Sequence, residues 1–577
     1  MGAMATIADS IIRTLKASGV RRLYGVPGDS LNGLTDALRR DGDLQWAHVR
    51  NEEVGAFAAG AEAQLTGELA VCVGSCGPGN VHLINGLYDA GRSHAPVLAI
   101  AAQIPREEIG SGYFQETHPT QIFNECSVYA ELVSCAEQFP VVFQQALQAA
   151  ISRRGVAVIV VPGEIFMEEW SAPDVLPVRT RESVVLPPAQ DLEAAAEIIG
   201  KSKRPAILAG AGCAGAHDEL VAFADAIKAP VVHSLRGKEW IEWDNPYDVG
   251  LTGLIGYDSG YRAMEHCDVL IMAGTDFPYR PFLPDDVPVI QIDVRGERIG
   301  RRVQVSNPLV GTVRDTLPQL QSRIKGEHDS SFADTIVKHH RKRRAKLDEL
   351  AEPGKPRETP LHPQFVTDVI DKAATDDAVF TCDVGTPTVW AARYVRMNGK
   401  RRLLGSFNHG SMANALAQAI GASAAYPQRQ VVALAGDGGL AMLLGDLITL
   451  RQLNLPVKVM VYNNSALSFV ELEMKQAGLI NFGTGLDNPD FAAIADAIGI
   501  RGFRAERTKD VQDCVQDAFK HDGPALVDLR VARQELSLPP KITLSQVKGF
   551  TLYATRTVLS GRGSEIVELA RTNLQQL

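Results

Sequence analysis

The chain has 577 residues, 45% hydrophobic and 22% charged, and at roughly 150 residues per domain that length predicts three or four globular units. Its 58 basic and 68 acidic residues leave a net charge of −10, which excludes a general nucleic-acid binder, whose surface must offer phosphates a basic field. The eight cysteines contain no CxxC pair and fit a reducing cytosol, and no run of about 18 to 20 apolar residues provides a membrane span.

From Arg21 onward, short apolar strands such as Leu69–Val73 and Val97–Ala102 alternate with helical stretches, the pattern of βαβ units around a parallel sheet. This predicts an α/β fold of three doubly wound parallel-sheet domains and a helical C-terminal tail. The first domain covers 1–178. The second, 185–335, contains the helix Asp191–Ile199 and strands Pro205–Ala209, Val269–Ala273 and Val289–Ile292. A charged helix, Ser331–Leu350, leads into a stretch where Pro353, Pro356, Pro360 and Pro363 forbid a continuous helix, so 336–363 is helix and linker. The third domain, 364–530, carries strands Val379–Asp383, Val431–Ala435, Val457–Tyr462 and Ala525–Leu529, and 531–577 is the tail. The basic run Lys338–Arg344 reads as a solvated helix face. In the tail, Pro539-Pro540 precedes a helix Val547–Ser560, a hinge Gly561-Arg562-Gly563, and a second helix Ser564–Leu577. In that helix Ile566, Leu569, Ala570, Leu574 and Leu577 form an apolar stripe.

The strongest chemical signal is Gly436-Asp437-Gly438 at a strand end, followed 27 residues after Asp437 by Asn464 at the end of the next strand. Ligands of open α/β sheets bind beyond the C-terminal strand ends, so both oxygen donors should meet at one crevice. Glycines there admit phosphate oxygens to backbone amides, and carboxylate and amide oxygens suit Mg²⁺, although two ordinary turns would look the same. The middle domain has Gly210-Ala211-Gly212-Cys213-Ala214-Gly215 after a strand. The acidic residue that a nicotinamide site needs about 20 positions on is replaced by Asp218 and Asp225 inside a helix, so no NAD is expected.

With Arg50-Asn51-Glu52-Glu53-Val54-Gly55-Ala56 and Gly77-Pro78-Gly79-Asn80 in the first domain, the Asp437–Asn464 pair resembles the motif set of thiamine diphosphate (ThDP) enzymes. The resemblance implies that domains one and three bind the pyrimidine and the diphosphate. It makes Glu52 the carboxylate on N1′ of the aminopyrimidine, where a carboxyl group promotes the imino tautomer that removes the thiazolium C2 proton. It places Gly28, Gly410 and Ser411 at the cofactor, and Met412, 25 residues before Asp437, beneath it as the bulky apolar support. Asp437, Gly438, Gly439, Asn464, Ser465, Ala466, Leu467, Ser468, Phe469 and Val470 would hold the diphosphate end, with Asp437, Asn464 and the Ala466 carbonyl as Mg²⁺ ligands.

The chain is most similar to the flavin-containing, quinone-dependent branch of pyruvate dehydrogenases and oxidases, through stretches such as Ile109–Pro119, Cys382–Tyr394 and Gly405–Ala415. This implies FAD in the middle domain, contacted by Gly212, Thr252, Gly253, Leu254, Ile255, Thr275, Asp276, Phe277, Pro278, Tyr279 and Asp293. It implies a pyruvate pocket with Phe114 and Gln115, and Phe469 and Glu473 one helical turn apart at the reacting centre. The implied reaction is oxidative decarboxylation of pyruvate to acetate and CO₂ through a ThDP enamine, with electrons passing to FAD and then to ubiquinone. The tail would bind phospholipid and cover the resting active site, making the enzyme peripheral on the cytoplasmic face of the cell membrane. A homotetramer is expected, built of dimers in which Glu52 of one subunit serves the metal site of the other. Acetolactate synthase and an O₂- and phosphate-dependent pyruvate oxidase are the alternatives within the family.

Overall fold

The computed structural model describes residues 5–171, 173–179, 183–353, 359–533, 535, 544–560 and 562–573. It holds three six-stranded sheets, parallel throughout, each wrapped by helices, as the alternating pattern requires. The first comprises β1 (Arg22–Gly25), β2 (Gln45–His48), β3 (Ala70–Gly74), β4 (Val97–Gln103), β5 (Tyr129–Leu132) and β6 (Val156–Pro162), in the order β2-β1-β3-β4-β6-β5. The second comprises β7 (Pro205–Ala209), β8 (Val231–His233), β9 (Asp248–Leu251), β10 (Val269–Ala273), β11 (Val289–Asp293) and β12 (Asn307–Val310), ordered β12-β11-β10-β7-β8-β9. In the third, β13 (Val379–Cys382), β14 (Arg402–Gly405), β15 (Val431–Gly436), β16 (Lys458–Asn463), β17 (Arg501–Ala505) and β18 (Ala525–Arg530) run β14-β13-β15-β16-β18-β17. Central strands β3, β4, β10 and β16 are buried at every position, which is why they read as continuous apolar runs rather than alternating ones.

Each sheet reverses its winding at one pair of strands: β1/β3, β10/β7 and β13/β15. Such switch points open a crevice beyond the strand ends. Here they are flanked by Gly28 and Gly77, by Gly212 and Gly274, and by Asp383 and Asp437, so the topology carries all three glycine-rich segments to crevices.

The first and third domains share one hydrophobic core. The helix Glu52–Thr66 lies against Asn414–Ala425, both rich in alanine and glycine, and a Cβ at Gly421 would run into the Ala58 carbonyl. The helix Ser331–Leu350 ties the second domain to the third, and here the solvated reading of the basic run needs correcting. Lys338, Arg341 and Lys342 are exposed. Arg343 is exposed as well and pairs with Asp258 at 2.9 Å, whereas Arg344, half-buried, pairs with Asp348 at 2.7 Å and lies over Tyr394, and His340 meets Ser259 at 3.0 Å.

The tail forms helices Leu544–Leu559 and Gly563–Thr572. Both rest near the C-terminal end of the helix Ser468–Gln476: Gln546 donates to Gln476 at 3.2 Å, Arg556 to the Gly478 carbonyl at 2.7 Å, and Arg562 to the Asn481 carbonyl at 3.1 Å. Pro356, Pro539, Pro540, Gly561, Leu574 and Leu577 lie outside the described residues. Among the described residues no helix is long and apolar enough to cross a membrane.

Candidate active site

Asp437 begins a short helix, Asp437–Met442, directly after β15, and Asn464 follows the neighbouring strand β16. The Asp437 carboxylate accepts from the Gly438 amide at 2.9 Å, the Ser465 amide at 2.7 Å and the Asn488 side chain at 2.7 Å. The Asn464 side-chain oxygen accepts from the Ala466 amide at 3.0 Å, while Ser465 turns the loop with φ of 56°. Burial raises the Asp437 pKa, an unfavourable setting for a lone carboxylate and one that a cation would relieve. Among the described residues no group of three or more His, Cys, Asp or Glu is placed to hold a metal. One carboxylate, one amide and one backbone carbonyl form a set that suits a hard dication sharing its remaining positions with diphosphate oxygens. The residues therefore fit the group.

Glycines leave that space open. A Cβ on Gly438 would lie 3.0 Å from Leu467 and 3.3 Å from Met412, which brings Met412 to the metal loop. One on Gly439 would collide with the Asp383 carboxylate. Asp383 holds β15 in place, accepting from the Gly436 amide at 3.0 Å and the Ala415 amide at 2.9 Å, and burial pushes its carboxyl up to about 7.

In the first domain Glu52 opens its helix, with Asn51 capping at 2.9 Å to the Glu53 amide. Glu52 is buried and meets Nδ1 of His82 at 2.9 Å. Its neighbour Glu53 instead accepts from Asn85 at 2.7 Å, and Asn85 also donates to Ser411 at 2.9 Å and meets His409 at 2.8 Å, bridging the first and third domains. The adjacent turns are tight: a Cβ on Gly28 would lie 2.5 Å from Ser75, and one on Gly79 would lie 2.6 Å from the Ser75 hydroxyl and 3.0 Å from Glu52. Gln115, at φ of 63°, accepts from the Cys76 thiol at 3.3 Å, while Phe114 beside it is 77% exposed.

A cavity of about 1110 Å³ runs along the strand ends of the second sheet. It is lined by Gly212, Thr252, Leu254, Ile255, Thr275, Asp276, Phe277, Pro278, Tyr279 and Asp293, and by Gly410 and Phe469 of the third domain. Gly253, the remaining middle-domain residue singled out from sequence, lies just behind, where a Cβ would be 3.1 Å from the Phe277 ring. A Cβ on Gly212 would lie 2.6 Å from Gly274, so two backbones pass at a spacing only glycine permits. Near Asp293 the wall is cationic: Arg298 reaches Asp276 at 3.4 Å, and Arg295 donates to the carbonyls of Arg153 and Arg154 at 2.6 and 3.2 Å. Desolvation of the half-buried His94 ring, reinforced by the neighbouring arginines, holds it far toward its neutral form, at about 3. Length, glycine floor and mixed polar and aromatic walls fit a dinucleotide.

Phe469 and Glu473 share the helix Ser468–Gln476; Phe469 lines the cavity, while Glu473 is exposed in the single chain. Ser468 and Val470 flank Phe469 on that helix. His82, Asn488 and Asp383 were not legible in the sequence as site residues, because each reaches the site from a separate element by packing alone.

Comparison with known families places the thiamine pyrophosphate enzyme N-terminal TPP binding domain on residues 5–122, the central domain on 192–320 and the C-terminal TPP binding domain on 383–529. Among curated proteins, the chain is 38% identical over 98% of both lengths to the putative thiamine pyrophosphate-containing protein YdaP of Bacillus subtilis. It is 30% identical to the pyruvate oxidase of Lactiplantibacillus plantarum, over 90% of this chain and 87% of the relative. A probable acetolactate synthase large subunit of Methanocaldococcus jannaschii is 28% identical over 94% of both chains.

Proposed function

The chain belongs to the thiamine pyrophosphate enzyme family, and from that premise we propose that it oxidatively decarboxylates pyruvate to acetate and CO₂, using ThDP, Mg²⁺ and FAD, and delivers two electrons to a ubiquinone-type quinone at a phospholipid surface. The observation that carries this reading is the cavity running from Asp293 past Gly212 to Phe469, on the helix that follows the Asn464 loop. A second redox group bound there would lie beside the first cofactor's site. ThDP would supply the electron sink for loss of CO₂, and FAD the two-electron acceptor. Glu52 would hold the proton at N1′ of the aminopyrimidine, with His82 fixing the carboxylate's orientation. Met412 and Leu467 would support the cofactor from below, and Asp437, Asn464 and the Ala466 carbonyl would hold the dication. Phe469, and Phe114 once covered by a second subunit, would exclude water from the reacting carbon.

Exposure of the Phe114 and Phe482 rings, at 77% and 87%, supports their being covered by a partner subunit, and the assembly proposed is a homotetramer of catalytic dimers. The tail reading, with its peripheral position on the cytoplasmic face of the membrane, is supported by two features. The tail helices are seated against the helix that carries Phe469, and Leu559, at 82% exposure, and Val567 face outward. The acetolactate synthase relative keeps carboligation as the second reading. Product analysis with pyruvate and a soluble quinone separates the readings. Acetate with stoichiometric quinone reduction is expected. Acetolactate without net oxidation, or acetyl phosphate with peroxide, would replace the proposal.

A further inference from the structure

The order of the second sheet orients its cavity. Neighbouring parallel strands lie about 4.8 Å apart, so six strand ends span roughly 24 Å. One end of this row, β11 and β12, carries Asp293, Arg295, whose guanidinium donates to backbone carbonyls, and Arg298, paired with Asp276. The other end, β8 and β9, faces the third domain, where Leu235 and Ile255 pack into the same core as Phe469. The loop leaving β8 brings Arg236 into the cavity wall at this second end.

Arg236, like Arg295 at the opposite end, has a backbone carbonyl rather than a carboxylate for a partner. Its guanidinium donates to the Ser93 carbonyl at 3.1 Å, and among the described residues no carboxylate lies within ion-pair distance of it. Of the acidic groups around it, Glu239 pairs with Arg402 at 2.8 Å and Asp276 with Arg298 at 3.4 Å, while one oxygen of Asp89 accepts from Gln418 at 3.0 Å and the other has no hydrogen-bond partner among the described residues. Burial lowers its pKa, so the charge is held at a cost that an anionic neighbour would offset. His94, which also lines the cavity, is neutral there and adds no competing cation. At the end nearest Phe469 the wall therefore presents a cation lacking an ion-pair partner.

We infer that Arg236 faces the reducible ring of the bound flavin and stabilises the negative charge the ring acquires on reduction. This rests on the flavin reading of the cavity. Two electrons and one proton entering the oxidised ring leave it with one negative charge, which the guanidinium neutralises. Arg236 thereby raises the flavin's two-electron potential and makes it a better acceptor.

The test uses the flavin-loaded full chain without pyruvate, in wild-type, Arg236→Met, Arg236→Gln and Arg236→Lys forms. The readouts are the flavin midpoint potential and the affinity for sulfite, whose flavin adduct carries the same negative charge. Removing the charge in the Met and Gln variants is expected to lower the reduction equilibrium constant at least tenfold, about 30 mV for a two-electron couple. Sulfite affinity should fall by a similar factor, and Lys should restore most of both. Flavin-loaded Met and Gln variants with potential and sulfite affinity within twofold of wild type would overturn the inference while leaving the flavin reading standing. Loss of flavin from both, with circular dichroism unchanged, would also overturn it, by making Arg236 a binding residue instead. A wild-type chain that takes up no flavin would remove the reading itself.

Discussion

Glu52 and Glu53 are adjacent in sequence and point to different partners. Glu52 is buried against His82, whereas Glu53 helps bridge the first and third domains through Asn85 and Ser411. Replacing Glu52 by Gln keeps the shape and removes the proton-holding oxygen, so pyruvate turnover should fall about 10²- to 10⁴-fold with flavin content unchanged, measured by steady-state assay and visible spectrum. Near wild-type turnover would remove Glu52 from its role. Asp89 is the second informative carboxylate at this scale, pushed up to about 6 by burial between the first and third domains. Its folded-state pKa lies above the unfolded value of about 3.9, so its contribution to stability is complete below pH ~4 and lost as pH rises through 6, a loss of about 3 kcal/mol. Asp89→Asn cannot ionise, so its melting temperature relative to wild type should rise between pH 4 and 6 and level off above 7. A difference that does not change with pH would contradict this. Glu52, Asp437 and Asn464 are legible in the sequence because short motifs carry them. Asp89, His82 and Asn488 are not, because their surroundings come from elements far apart in the chain.

At the scale of elements, strands such as β3, β10 and β15 appear in the sequence as apolar runs, and the reversal of winding beside each glycine-rich turn explains why those turns open into crevices. What periodicity could not supply was how helices approach one another. The contact between Glu52–Thr66 and Asn414–Ala425 depends on small side chains, and so does the tail's seat, where a Cβ on Gly549 would run into the Gln476 carbonyl. Gly549→Val should lift the helix Leu544–Leu559 from its seat while leaving the three domains intact. If the tail covers the active site, turnover with a soluble quinone should rise without lipid and respond less to added vesicles. Turnover equal to wild type under both conditions would count against autoinhibition. The basic run on the Ser331–Leu350 helix makes the same point: composition predicted exposure, which holds for Lys338, Arg341, Lys342 and Arg343, yet Arg344 lies over Tyr394 of the third domain and His340 meets Ser259 of the second.

At the scale of the molecule, the net charge of −10 argues against a polyanion partner, yet the proposed substrate and organic cofactors, pyruvate, ThDP and FAD, are all anionic. The structure offers such ligands local devices: glycine turns at three sheet switch points, a carboxylate and amide set suited to a dication, and a cluster of arginines lining one cavity. That cavity adjoins all three domains, so the proposed electron transfer out of the decarboxylation site would be a property of the whole chain rather than of one domain. The most direct test is anaerobic titration of the ThDP-, Mg²⁺- and flavin-loaded protein with pyruvate, following the flavin absorbance. Bleaching in proportion to pyruvate added, with acetate formed and colour restored by a quinone, is the predicted result. Flavin that stays oxidised while pyruvate is consumed to acetolactate would contradict the account.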